Sequence, residues 1–250
     1  MLLRYIKLIL LTFAFTNAIG QSSYQIFDKA NSFYETKLYD SSKTLYLELY
    51  FNGMISKELL LNLGNSYFKL DSLPAAILYY EKGLKIAPGN KDLTHNLQFC
   101  NTLLKDKNSI KKSILINELI LSFLGKSPNY WVYSSIIIMF ITCLLFIFYW
   151  ITHVSFWKKI YFYFCTLSLL LLFITIGLSA ISKSKVSESN YGIIFSPTTK
   201  VMVEPSQNSS TTYQLHEGSK AKITGENENW YEISFNDRKG WVQKIYLKKI

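Results

Sequence analysis

WVYSSIIIMFITCLLFIFYWI (residues 131–151) and IYFYFCTLSLLLLFITIGLSAI (residues 160–181) decide how this chain is organised. Neither stretch carries a charged side chain. Each is long enough, at about 1.5 Å per helical residue, to cross a hydrocarbon core of roughly 30 Å. Only Thr152–Lys159 separates them, so they are expected to fold back as an antiparallel helical pair occupying 128–182. Whatever precedes the pair and whatever follows it then lies on one side of a membrane. No acidic, basic or histidine side chain sits within either run, which argues against a transporter or a pump. Tyr130, Trp131 and Tyr133 at one end, and Tyr149, Trp150, Phe156 and Trp157 at the other, are suited to the two interfaces.

Working outward, the net charge of +10 first suggests a nucleic-acid partner. Much of the surplus, however, flanks the apolar segments, at Lys111, Lys112, Lys126, Lys158, Lys159, Lys183 and Lys185. Lysines there snorkel or meet anionic headgroups. No compact basic patch emerges, so no nucleic-acid partner is expected. Three scattered cysteines, Cys100, Cys143 and Cys165, imply no disulfide framework.

Residues 1–20 show Arg4 and Lys7, the apolar run Leu8–Phe15 and small residues at Ala18 and Gly20. This is the layout of a secretory signal peptide cleaved before Gln21, the alternative being an uncleaved anchor. Export would place the following module outside, Thr152–Lys159 inside and the C-terminal module outside. The expected location is therefore a bacterial inner membrane with both soluble modules extracytoplasmic.

Residues 21–109 contain a repeat of period 34. Ala30-Asn31-Ser32-Phe33-Tyr34 aligns with Gly64-Asn65-Ser66-Tyr67-Phe68, Ser42 with Ala76, and Tyr46 with Tyr80. The second copy, Lys57–Asn90, has Leu63-Gly64, Tyr67, Ala76, Tyr80, Gly83 and Pro88, and resembles a tetratricopeptide repeat. Small residues at Gly64 and Ala76 allow two helices to cross closely. The first copy, Ser23–Ser56, is weaker, with Met54 where proline is expected. Lys91–Lys107 reads as a further, capping helix of an all-α solenoid. By repeat position, Phe27, Asn31, Leu61, Asn65 and Lys69 form a candidate peptide groove on the first helices. Asn31 and Asn65 resemble the asparagines of repeats that clamp a carboxylate, although Phe27 and Leu61 stand where a lysine belongs. The other reading of the asparagines is that they satisfy local groups. Residues 110–127 follow as an amphipathic helix, either at the bilayer interface or covering the open end of the stack.

After the linker at 183–190, residues 191–250 alternate in short strands over Gly192–Phe195, Lys200–Glu204, Lys220–Thr224, Trp230–Phe235 and Gly240–Gln243. The order Val201-Met202-Val203-x-Pro205, Leu215-His216-Glu217-Gly218, Trp230-Tyr231-Glu232-Ile233 and Gly240-Trp241-Val242 resembles the bacterial SH3-like barrel. Tyr213, Trp230, Tyr231 and Trp241 are candidates for its cleft, with at least one tryptophan expected in the core. His216 reads as a lone surface histidine.

Neither a nucleotide-binding Gly-rich loop nor a Gly-x-Ser-x-Gly elbow is present, and the histidines and cysteines lack metal spacing. No catalytic residue, cofactor or metal is therefore nominated. Taken in order, the segments resemble the bacterial Bat (aerotolerance operon) family, in the arrangement of its E member. Leu63-Gly64-Asn65-x-Tyr67, Ala76-Ile77-x-Tyr79-Tyr80-Glu81, His95-Asn96-Leu97, Ser127-Pro128-Asn129-x-Trp131 and Gly240-Trp241-Val242 carry the resemblance. It implies a partner role in an envelope complex with von Willebrand A-type membrane proteins and a MoxR-type ATPase, linked to oxidative or envelope stress. The expectation is a non-enzymatic membrane scaffold presenting two interaction modules. The alternative is a protein that binds peptidoglycan through its SH3-like domain.

Overall fold

The structure is a computed structural model and describes residues 23–107, 128–187 and 190–250. The expected signal peptide and the amphipathic helix over 110–127 lie outside the described residues. Two compact units emerge. One joins the N-terminal helices to the C-terminal strands, and the other contains the long apolar helices.

The first unit begins with α1 (23–35), α2 (Tyr39–Phe51), α3 (Lys57–Lys69), α4 (Leu73–Ile86) and α5 (Lys91–Thr102). Ser56 caps α3 by accepting from the Leu59 N–H at 3.1 Å, and Asn90 caps α5 by accepting from the Leu93 N–H at 2.9 Å. The 34-residue period is reproduced in the backbone. Lys37 and Asp71, one period apart, both adopt left-handed conformations (φ 63° and 56°). The next residues, Leu38 and Ser72, donate back to the carbonyls of Phe33 and Tyr67 at 2.8 and 3.0 Å. Both first helices therefore stop on the same turn, with the returning bonds satisfying carbonyls that the helix end leaves open.

Packing between the helices follows the same spacing. Ala30, Tyr46, Leu49, Leu59, Leu60, Leu63 and Tyr79 form one buried cluster across α1 to α4. At Gly64, an added Cβ would lie 2.4 Å from the Tyr80 ring, so only glycine lets α3 and α4 approach this closely. The second cluster joins Ala76, Ile77, Tyr80, Leu93, Leu97 and Cys100 to Ile193, with Phe195 and Ile250 packed against it. Residues of the C-terminal module thus complete the helical core.

That module consists of β1 (Tyr191–Ile194), β2 (Thr198–Met202), β3 (Thr211–His216), β4 (Lys220–Glu226), β5 (Trp230–Phe235), β6 (Arg238–Gln243) and β7 (Leu247–Lys249), with a 3-10 turn at Lys244–Tyr246. They form one antiparallel sheet in the order β3-β2-β6-β5-β4-β1-β7. Ile194, Val201, Leu215, Ile223, Ile233, Val242 and Leu247, one from each strand, meet in a single core, so the sheet rolls onto itself. Strands β3 and β7 lie beyond the five read from the sequence. Thr211–His216 has a polar start that masked its pairing with Thr198–Met202.

Two boundaries and one role shift. Helix α5 ends at Thr102, not Lys107, because the chain turns there to dock Leu104 and Asp106 against other residues of this unit. The capping role expected of α5 passes to the β module, which supplies Ile193 to the cluster closing on α4 and α5. The linker expected over 183–190 is helical as far as Ser187, since Lys183–Ser187 contains neither proline nor glycine to stop the helix.

The second unit is a helical pair, α6 (Pro128–Ile151) and α7 (Ser155–Ser187). Both are long and apolar enough to cross a membrane, over Asn129–Ile151 and Ser155–Ser182. The helices meet through hydroxyls. Ser135 Oγ donates to Thr175 Oγ1 and Thr142 Oγ1 to Ser168 Oγ, both at 3.0 Å. Seven residues separate the two hydroxyls on each helix, so both rungs fall on one face. Each hydroxyl carries a single proton, so the rung alternates with a bond each donor can make within its own helix, Ser135 to the Trp131 carbonyl and Thr142 to that of Ile138, both at 2.8 Å. Interhelical hydroxyl bonds of this kind supply association where lipid removes the hydrophobic drive.

Candidate functional site

Two asparagines, one in each copy of the 34-residue repeat, organise the polar contacts between the helices. Asn31 Oδ1 accepts from the Tyr46 hydroxyl at 2.6 Å and from Asn62 Nδ2 at 3.1 Å. One period later, Asn65 Oδ1 accepts from the Tyr80 hydroxyl at 2.7 Å and from Asn96 Nδ2 at 2.8 Å. Each triad ties the first helix of a pair to its second helix and to the first helix of the next pair. Both acceptor positions of each amide oxygen are filled, so a ligand can use only the donor side of Asn31 and Asn65. The second reading of these asparagines, local satisfaction, therefore describes their oxygens.

Around Asn65 lies a pocket of about 370 Å³ whose wall includes Phe68, Lys69, His95, Asn96 and Phe99. Phe68 and Phe99 meet edge to face at 5.7 Å, and Phe99 is 52% exposed. Lys69 in the last turn of α3 adds a solvent-facing ammonium. Amide donors, a cation and an apolar edge on one wall suit an extended peptide whose carbonyls or carboxylate accept hydrogen bonds. The floor is inert. Burial raises the Tyr80 hydroxyl well above the ordinary phenol range and pushes the Cys100 thiol up to about 11, so the thiolate needed for nucleophilic chemistry is scarce at neutral pH.

Of the expected groove residues, Asn65 and Lys69 line this pocket and Asn31 occupies the equivalent place in the first copy. Phe27 instead packs 5.7 Å from the Tyr46 ring, and Leu61 packs against the second core cluster. Phe68, His95, Asn96 and Phe99 were not anticipated. The 34-residue offset relating Asn96 to Asn62 was the available signal.

The four aromatics expected in one cleft of the β module divide between the faces of the sheet. Register pairs Trp230 with Gln243 and Trp241 with Glu232, which places both tryptophans opposite the core-facing Ile233 and Val242. Tyr231 pairs with the buried Val242, and Tyr213 with the buried Val201; both pack against the core. Neither tryptophan belongs to that cluster, because aliphatic side chains and Phe235 fill the small interior. Trp230 is nonetheless buried, at the base of a pocket of about 410 Å³ between the turn Pro205-Ser206-Gln207 and the segment Gln243-Lys244-Ile245. Tyr213 is fixed by its hydroxyl, which donates to the Arg238 carbonyl at 3.1 Å, and by the Arg238 guanidinium 5.3 Å from its ring.

His216, read as a lone surface residue, is a junction. Its backbone N–H donates to Asp106 Oδ2, its Nδ1 lies 3.0 Å from Asp106 Oδ1, and its Nε2 lies 2.8 Å from Lys105 Nζ. Ser219 Oγ adds a second bond to Asp106 Oδ2 at 2.7 Å. Burial pushes the Asp106 carboxyl up, but the bonds from His216 and Ser219 together outweigh it and hold the group below the usual carboxylate range. Lys220 reaches Glu81 on α4 at 2.7 Å. Among the described residues, no three of His, Cys, Asp and Glu converge as a metal site.

Residues 199–248 match the bacterial SH3 domain, so the rolled sheet is an SH3-like domain extended by β1 and docked on the helices. No curated protein matches the chain.

Proposed function

We propose that this chain is a membrane-anchored binding protein, without catalytic activity, whose helical stack is of tetratricopeptide type and receives a peptide segment of a partner protein. The observation that carries the reading is the pocket at Asn65, with its amide donors, the Lys69 ammonium and the Phe68–Phe99 edge. In this reading residues 1–20 direct export, and α6 and α7 form a hairpin. The stack and the SH3-like domain then share one extracytoplasmic compartment of a bacterial inner membrane. The resemblance to the Bat family supports placing the partner in an envelope complex containing von Willebrand A-type membrane proteins and a MoxR-type ATPase. Mild detergent extraction of tagged chain, followed by affinity capture and mass spectrometry, tests it. Envelope proteins should co-purify with the wild type and be lost from Asn65→Ala/Lys69→Ala. Identical partner sets for both would overturn the assignment to this pocket.

A second reading rests on a separate observation. The pocket over Trp230 is bordered by Gln207, Asn229 and Gln243, an aromatic ring with amides that suits a peptidoglycan fragment. If the SH3-like domain binds cell wall, the solubilised full chain will sediment with purified peptidoglycan. Gln207→Ala/Gln243→Ala will remain in the supernatant. Failure of the wild type to sediment removes this reading.

A further inference from the structure

The turn that joins β3 to β4 gathers three donors on one carboxylate. The His216 N–H and the Ser219 hydroxyl both reach Asp106 Oδ2, the latter at 2.7 Å, and His216 Nδ1 faces Oδ1 at 3.0 Å. With Nδ1 donating, Nε2 is left as an acceptor, and Lys105 supplies it with an ammonium at 2.8 Å. Gly218 turns the chain at φ 82°, and a Cβ there would overlap the Leu104 side chain. Leu104 is thus seated over that glycine, against the cluster that contains Ile77. Farther along, the Asn236 amide donates to the Lys107 carbonyl at 3.3 Å. The pockets at Asn65 and Trp230 include none of these residues.

Leu104–Lys107 is held in the way a domain holds a short peptide. Helix α5 has ended at Thr102, and the residues that follow form neither helix nor strand. Leu104 and Asp106 meet the turn, while Leu103 is 53% exposed and Lys107 also faces solvent. A leucine, a lysine and an aspartate are recognised in succession by one short stretch of the SH3-like domain. The contact is polar, lies at the surface and has a single apolar anchor, which is the makeup of an exchangeable interface and not of a core. The donors of the turn outweigh the effect of burial on Asp106 and favour its charged form, so the turn selects a carboxylate over a neutral amide.

We propose that the β3–β4 turn is a peptide-binding site selective for an apolar residue followed two positions later by aspartate, and that Leu104–Lys107 occupies it in cis as a displaceable strap. The ligand that displaces the strap is a segment of a partner protein with the same pattern. Tethering gives the strap a high effective concentration, so it excludes weak peptides and yields to a partner that also engages the chain elsewhere. The site is independent of the pocket at Asn65.

The test uses the full chain in neutral detergent micelles and a fluorescein-labelled peptide of residues 102–109, followed by fluorescence anisotropy. Leu104→Ala/Asp106→Ala frees the turn, and the peptide should bind this freed chain roughly tenfold more tightly than it binds the wild type. A peptide carrying Asp106→Asn should bind the freed chain roughly tenfold more weakly than the unaltered peptide, through loss of charge-assisted bonds. Adding Ser219→Ala to the freed chain should weaken the unaltered peptide roughly threefold. The single variant Asp106→Asn keeps Leu104 in its seat and one oxygen for the His216 N–H. It carries the test if the double variant does not fold, with a roughly threefold gain in peptide affinity over the wild type. Equal binding of the peptide to the wild type and to the variant tested would overturn the proposal, as would equal binding of the two peptides. Absence of binding to the freed chain would overturn it as well, leaving Leu104–Lys107 a fixed part of the fold.

Discussion

The two copies of the 34-residue repeat use the same bonds and are closed in different ways. In each, a tyrosine of the second helix and an asparagine of the following helix donate to one asparagine oxygen, at Asn31 and again at Asn65. The first copy is followed by another helical pair. The second is followed by α5 alone, and β1 of the SH3-like domain brings Ile193 to the cluster formed by α4 and α5. A repeat stack needs a distinct terminal layer because its last apolar face has no successor. Here a β module provides it. The comparison teaches that the SH3-like domain contributes to the fold of the helices and is not only a separate binding unit.

The most severe way to break that comparison is to charge the shared core. Ile193 is fully buried between modules, so Ile193→Asp places a carboxylate in an aliphatic cluster, where its cross-strand neighbour Lys220 is already held by Glu81. A loss of about 3–5 kcal/mol is expected from the removed aliphatic group and the buried polar group together. Denaturant unfolding of the full chain in detergent should report it. Hydrogen exchange should then accelerate in α4 and α5 more than in α1 and α2. Uniform exchange across both copies would show that the β module does not close the stack.

A smaller perturbation compares the copies directly. Gly64 faces the Tyr80 ring, whereas its counterpart Ala30 already carries a methyl group and is fully buried beside Tyr46. Gly64→Ala must displace Tyr80 and strain its bond to Asn65, costing about 1–3 kcal/mol by overpacking, offset by up to about 1 kcal/mol of helix propensity. The expected sign is a lower melting temperature. Below that in size, Tyr80→Phe and Tyr46→Phe each remove one donor from an asparagine oxygen that keeps its second donor. Each should cost about 1 kcal/mol. Near-equal losses in thermal denaturation would show that the triads are energetically equivalent. A much larger loss at Tyr80 would mark the second copy as the more committed.

Legibility follows the range of the interactions. The hairpin was readable because length and apolarity are local properties, and the repeat because Gly64, Tyr67 and Tyr80 carry a fixed spacing. The strands bearing Trp230 and Trp241 were readable from alternation, yet the division of Tyr213 and Tyr231 from the tryptophans depends on register, which pairs residues far apart in sequence. Hydroxyls at 135, 142, 168 and 175 were visible as exceptions inside apolar runs, but their meeting requires the antiparallel register of α6 and α7. The junction of Asp106 with His216 joins positions 110 residues apart, and no short-range pattern announces it. Asn96 was partly visible: its place one period after Asn62 was available, while its bond to Asn65 needed the packed helices.

The finest test of the comparison is electrostatic, because the first copy has no counterpart to Asp106. Three bonds from His216 and Ser219 hold its carboxyl below the ordinary range despite burial. A folded-state value below the unfolded one means that the unfolded chain binds the proton more readily. The ionised group therefore contributes stability above the ordinary carboxylate value of about 4, and that contribution is lost as pH falls from there through the lower folded-state value. Melting temperatures between pH 6 and pH 2.5 should fall more steeply for the wild type than for Asp106→Asn. The substitution retains one oxygen for the His216 N–H and removes the titration. Parallel slopes would show that Asp106 does not couple docking to pH. A shallower slope for the variant, accompanied at neutral pH by faster exchange in α5, would place the proton-sensitive bond at the junction that closes the second copy.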